Sequence, residues 1–161
     1  MKVSFKYLIC LFLLVLATQS CANTRLISLI NNNIELLALN QESKTQEAIN
    51  GFNIAIKESP NNFKACLYLG IAYLKNNEPQ KAINLFDNYK NKKEEILEKE
   101  LKSQAQVIKS FNFSQKSLPE KQSFIKIIEE SGLRAISEQE EQNEIKKNNE
   151  KDGGGGGGCG C

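Results

Sequence analysis

Histidine is missing from this chain. With it go the side chain that titrates nearest neutral pH, the commonest zinc ligand, and every nucleophile activated by an imidazole. Catalysis of those kinds is disfavoured, so an enzyme is not expected and no catalytic residue, metal site or cofactor is assigned. Tryptophan is absent too, although 40% hydrophobic residues over 161 positions suffice for one domain with a small core. Nor is there a surplus of charge. The 21 basic and 19 acidic residues become even once Lys2 and Lys6 are set aside as part of an amino-terminal signal, so no basic footprint for nucleic acid remains. The short run Lys90, Lys92, Lys93 is followed at once by Glu94 and Glu95, the pattern of a solvated helix start.

What the chain does have is a period. Ala48 and Phe52 recur 34 positions later as Ala82 and Phe86, with Leu69-Gly70-x-x-Tyr73 between them. Self-similarity at that spacing is the mark of a helical hairpin repeated along a solenoid, each unit burying its apolar face against its neighbours. From Phe63 to Leu74 the residues Leu67, Gly70, Ile71 and Leu74 fall at intervals of three and four, one stripe of a helix. Asn61 or Asn62 can cap that helix, and Pro60 discourages continuation of the one before. The next helix is predicted to begin near Pro79, with Asn77 available as its cap. Small residues at Gly70 and Ala82 let the two backbones approach, with Phe86 and Tyr73 filling the space around them.

Together Ala48, Phe52, Ala55 and Pro60, then Leu69, Gly70, Tyr73, Ala82 and Phe86, resemble the tetratricopeptide repeat across two adjacent hairpins. Two positions depart from its pattern: Cys66 stands where a large aromatic is usual, and Tyr89 where a small residue is expected. The resemblance implies an all-α fold, a short solenoid of two to three antiparallel helix hairpins acting as a protein–protein interaction scaffold. Its concave face would take a peptide or helix on Lys64, Leu67, Ile71, Leu74 and Lys75, unless the chain covers that face with its own terminal helix. The lysine and asparagine with which some family members clamp a peptide carboxylate are replaced here by Leu67 and Ile71, so that specificity is not implied.

Extending the register, Ser43-x-x-Gln46 reads as a capping box opening a helix to about Lys57, preceded by a Leu/Ile-rich segment from Leu26 to Leu39. A third hairpin is expected with Val107, Ile108 and Phe111 in its first helix and Phe124 and Ile127 in its second. Ser117-x-x-Glu120 and Pro119 would start that second helix and Gly132 would end it. The helical domain thus spans 24–132. Beyond it, 133–161 is charged and then rich in glycine and cysteine, a composition that cannot offset its ordering entropy and is expected to be a disordered tail, with a fraying helix near Ile136 to Ile145.

Both ends carry further signals. Lys2 and Lys6 precede an apolar run from Tyr7 to Ala17, shorter than the roughly 20 residues of a membrane-spanning helix, so 1–20 reads as an export signal. Ser20-Cys21 resembles the lipobox of bacterial lipoproteins, with Thr18 where an apolar residue is usual, and implies a lipid on Cys21 and a place in the cell envelope. Cleavage after Ala22, giving a periplasmic or secreted protein, is the alternative. At the carboxyl end six glycines, Gly153 to Gly158, make a flexible spacer before Cys159-Gly160-Cys161. Cys159 and Cys161 can act as an exchangeable thiol pair, hold a soft ion, resemble a modified peptide core, or do none of these. Cys66 lies on the apolar stripe and reads as core. Two functions follow: an interaction scaffold with a protein or peptide partner, or a thiol-redox or soft-metal carrier supported by the repeats.

Overall fold

Six α-helices and a single 3-10 turn make up residues 23–91 and 93–152, the part of the chain that the computed structural model describes; no strand occurs among these residues. Helix α1 spans 23–38, α2 Glu42–Glu58, α3 Phe63–Lys75, α4 Pro79–Asn88, α5 Glu95–Ser110 and α6 Leu118–Asp152. The segment 1–20 read as an export signal, the lipidation candidate Cys21 and the terminal residues 153–161 lie outside the described residues.

Local chemistry sets most boundaries. Asn62 caps α3, its Oδ1 accepting from the Ala65 N–H at 2.9 Å. Helix α4 does open at Pro79, but its cap position is Glu78. Asn77 instead closes α3. Its backbone is left-handed (φ 58°), its N–H donates to the Leu74 carbonyl, and the Glu78 N–H reaches back to Tyr73 at 2.8 Å. That pair of bonds satisfies carbonyls a helix end would otherwise leave open, and asparagine tolerates the left-handed region better than most residues. Asn40 and Asn112 are left-handed just past α1 and α5 as well. Ser43 does not cap α2, because the chain has already turned at Asn40; the cap position is Gln41, whose carbonyl accepts from the Thr45 hydroxyl at 3.0 Å.

Packing follows chain order. Helices α2 to α6 each lie against the next, and α6 also lies along α3. Ala48, Phe52, Ala82 and Phe86 are all fully buried, so the recurring residues occupy interior positions in α2 and α4 alike. Phe52 stacks on Tyr68 at 6.2 Å, while Phe86 sits against Gly70 so closely that a Cβ there would lie 2.1 Å from the ring. Tyr89 is buried too. Its hydroxyl donates to the Asn61 carbonyl at 2.9 Å and its ring meets Phe63 edge-on, which ties the end of α4 to the start of α3.

The third hairpin forms where expected, with Val107 and Ile108 in α5, Phe111 capping it, and Phe124 and Ile127 in α6; Ile108 and Phe124 are buried, and the difference lies in the other two. Val107 and Ile127 are 43% and 60% exposed; the buried stripes are Leu97, Leu101, Ala105 and Ile108 on α5, and Phe124, Ile125 and Ile128 on α6. Phe111, Phe113 and Phe124 close the turn as an aromatic cluster. Between the helices, Gln104 donates to the Ile128 carbonyl at 3.0 Å and the Ser131 hydroxyl donates to Glu100.

Gly132 does not end α6. Its missing side chain lets the helix lie on Leu67, whose Cδ2 would be 2.5 Å from an added Cβ, and Ala135, Ile136 and Gln139 carry the packed stripe onward. The segment expected to be a disordered tether is therefore helical to Asp152, though nothing from 140 to 149 is buried. A helix period does not need a hydrophobic majority, only an apolar or small residue each turn.

At the start of α6 the Glu120 carboxylate accepts from the Ser117 N–H at 2.9 Å and from its hydroxyl at 2.6 Å, with Lys116 at 3.3 Å. The two Ser117 bonds, with Lys116 behind them, hold its pKa down to about 2 from an ordinary 4.5. The folded value is the lower one, so this contribution is complete above the unfolded value and is lost as pH falls through about 2. Amide signals of Ser117, Leu118, Glu120 and Lys121 are expected to lose dispersion between pH 4.5 and 2, and Glu120→Gln to remove that step. An acid step that persists in the variant would assign the effect to another carboxylate.

Candidate partner-binding cleft

Three turns meet at one end of the bundle. The α1–α2 turn brings Asn40, the α3–α4 turn brings Asn76 and Asn77, and the first turns of α6 bring Leu118, Lys121, Gln122 and Ile125; between them opens a cleft of 700 Å³ with Leu74 and Lys75 on its wall. Two lysines tie its polar edge together. Lys75 Nζ donates to the Leu37 carbonyl at 2.9 Å and to Asn40 Oδ1 at 2.8 Å, joining α1 to α3. Partial burial pushes its pKa down, and the Glu129 carboxylate acts in the opposite direction. Lys121 Nζ donates to Asn77 Oδ1 at 2.9 Å and lies 5.5 Å from the centre of the Phe113 ring, joining α6 to the end of α3. The Tyr68 hydroxyl donates to Glu129 at 2.9 Å; burial first, then the carboxylate, hold that phenol protonated far above its usual range. Lys126 lies near the rim, 3.7 Å from Glu130.

The five residues expected to line a concave groove are not brought together on one open surface. Leu67 and Ile71 are 0% and 2% exposed, and α6 lies on Leu67. Lys64 sits on the α1–α3 seam, donating to Asn31 Oδ1 at 3.3 Å. Only Leu74 and Lys75 border the cleft. The groove is closed because Gly132 allows the backbone of α6 to occupy it. Cys66 is buried, and desolvation pushes its thiol up to about 12, which leaves it protonated and unreactive. Cys21, Cys159 and Cys161 fall outside the described residues. Among the described residues no group of three or more His, Cys, Asp or Glu side chains is placed to hold a metal ion, and no helix is long and apolar enough to cross a membrane.

Asn40, Asn77 and Lys121 were not expected at a site. The asparagines could have been found, since an asparagine just past an apolar periodic segment is a helix-stop signal and stops cluster at the ends of hairpins. Lys121 could not: its position depends on how the third hairpin docks. Comparison of the chain with family models, with curated proteins and with solved structures returns no match.

Proposed function

We propose that this chain is an interaction scaffold of the bacterial cell envelope, built from tetratricopeptide-like hairpins, exported and held at the membrane by a lipid on Cys21, that presents the cleft beside Lys75 to a protein partner. The observation that carries the reading is the composite nature of the cleft. Its walls come from the α1–α2 turn, the α3–α4 turn and the start of α6, so it exists only where successive hairpins stack, as binding surfaces of repeat arrays do. The full burial of Ala48 and Phe52 in α2 and of Ala82 and Phe86 in α4 supports the repeat construction. Leu118, 68% exposed beside lysines and amides, gives the rim the mixed apolar and polar character of a recognition surface.

Two measurements test it. In fractionated cells Cys21→Ala is expected to move the protein from the membrane to the soluble fraction with a changed mobility; unchanged retention and mobility would overturn the lipid anchor. A photo-crosslinking residue at Gln122 is expected to trap one envelope protein of discrete mass, and the same residue at the exposed Val107 on α5 to trap none. Identical products from both positions would remove the cleft from the proposal.

A further inference from the structure

The two ends of the bundle are not alike, and the pairings between helices show which parts of the chain share each end. Lys64 donates to Asn31 and Lys75 to Asn40, so α1 runs parallel to α3. Lys121 donates to Asn77, the Tyr68 hydroxyl donates to Glu129, and Gly132 lies on Leu67, so α6 runs antiparallel to both. The start of α1 and the far end of α6 therefore lie at one end of the bundle. The cleft lies at the other, beside Asn40 and Leu118. Helix α1, 23–38, separates the two ends by about 24 Å at roughly 1.5 Å per residue. When the same pairings are carried past the first turn of α3, the start of α1 falls level with about Gln142 on α6, and the remainder of α6 runs roughly 15 Å beyond it.

From this shared end we infer that the surface meeting the membrane is the start of α1 together with the exposed arm of α6, 140–149, seated against lipid headgroups, and that the cleft opens away from the bilayer. The inference rests on the lipid at Cys21. That residue stands two positions ahead of Asn23, where α1 begins, and two peptide links span no more than about 7 Å. An acyl group there holds the start of α1 at the bilayer surface, and the arm, which runs past it at the same end, meets the headgroups as well. Its Glu140, Glu141, Glu144, Lys146 and Lys147 are exposed, and their charge keeps the arm in the polar layer and out of the hydrocarbon. A flat seat along α1 is disfavoured. A helix lying in the interface needs a free apolar face beside a basic one, whereas Ile30 and Leu37 of α1 are turned into the core and its exposed charges are one base, Arg25, and one acid, Glu35. The class of partner follows: a cleft held roughly 20 Å from the bilayer is reached by a water-soluble protein or soluble domain, and not by a membrane-embedded segment.

The test uses the full-length acylated chain carrying Cys159→Ser and Cys161→Ser, so that one introduced thiol takes a fluorescent dye; Cys66 is buried and does not react. The dye is placed in turn by Gln122→Cys at the cleft, Glu58→Cys at the end of α2 and Asn148→Cys on the arm, all exposed positions. Each chain is seated in phosphatidylethanolamine and phosphatidylglycerol vesicles that contain a lipid with a quencher on its headgroup. Quenching at Asn148 and Glu58 is expected to exceed that at Gln122 several-fold, with all three chains melting within a few degrees of the parent. Equal quenching at Gln122 and Asn148, or an unquenched Asn148, in a chain whose acyl mass is confirmed would overturn the orientation and leave the anchor standing. If the purified chain carries no acyl mass, the anchor falls and the orientation falls with it.

Discussion

Phe86→Ala is expected to lower the unfolding free energy by about 3–5 kcal/mol, and Gly70→Ala by about 1–3 kcal/mol, with a Gly70→Ala/Phe86→Leu double variant costing less than its two single changes together. The ring of Phe86 is wholly buried, and its tip stands 2.1 Å from the place a Cβ on residue 70 would take. Alanine in place of glycine inside a helix would by itself gain about 1 kcal/mol, so a net loss at Gly70 measures overlap with the ring and not backbone preference. Leucine at position 86 shortens the side chain and frees the volume that the new methyl needs. Residues in direct contact couple in this way, whereas distant ones add. Denaturant unfolding of the four chains gives the coupling directly, and simple additivity would mean that α3 and α4 are not held apart by this one contact. Gly132 provides the contrast. An added Cβ there meets the ends of a leucine, Cδ2 at 2.5 Å and Cδ1 at 2.7 Å, which can rotate away more cheaply than a phenyl ring.

That contrast also shows how far the fold could be read from the chain alone. Helix α3 and the start of α4 were legible to within a residue, because their signals are local: the Leu67, Gly70, Ile71, Leu74 period, an asparagine cap at 61 or 62 and Pro79 at a first turn. Gly132 was read as a stop because glycine serves both as a helix terminator and as a place of close approach, and only the presence of Leu67 across the interface decides between them. Asn77 was assigned to the start of α4 when it terminates α3, since one residue type suits both positions and the backbone angle that separates them is not written in the sequence. In the third hairpin the choice of Val107 and Ile127 missed the buried face, because both sit in runs where adjacent positions are apolar and the period is ambiguous. For the cleft, Lys75 was visible as a candidate from its own hairpin. Its companions Asn40 and Lys121 arrive from the hairpins on either side, at a meeting point set by docking and not by any local pattern.

A chain ending after Lys116 is expected to lose its sharp unfolding transition, bind a hydrophobic dye and self-associate, while one ending after Gln142 should keep its stability to within about 1 kcal/mol. Helix α6 buries Phe124, Ile125, Ile128 and Ala135 and covers Leu67. Each large apolar side chain so buried contributes about 1.5–3 kcal/mol, and the sum for three approaches the roughly 5–15 kcal/mol by which a whole domain is stable. Its removal would also leave Gln104 without the Ile128 carbonyl, Glu100 without the Ser131 hydroxyl, and the Tyr68 hydroxyl without Glu129. Unpaired buried polar groups add to the loss. By contrast, no residue from 140 to 149 is buried, so cutting after Gln142 removes exposed charge and one hydrogen bond, from Gln139 Nε2 to Asn143 Oδ1 at 3.1 Å. A chain ending at Gly132 should fall between the two, since it retains Ile128 but loses Ala135 and the buried Gln139. Circular dichroism melts and light scattering on the three chains separate two accounts of α6. If the chain ending after Lys116 melts as sharply and as high as the full one, α6 is a removable lid and Leu67 and Ile71 are exposed once it is gone; if it collapses as expected, the second helix of the third hairpin is part of the core, and Leu67 and Ile71 are core residues beneath it.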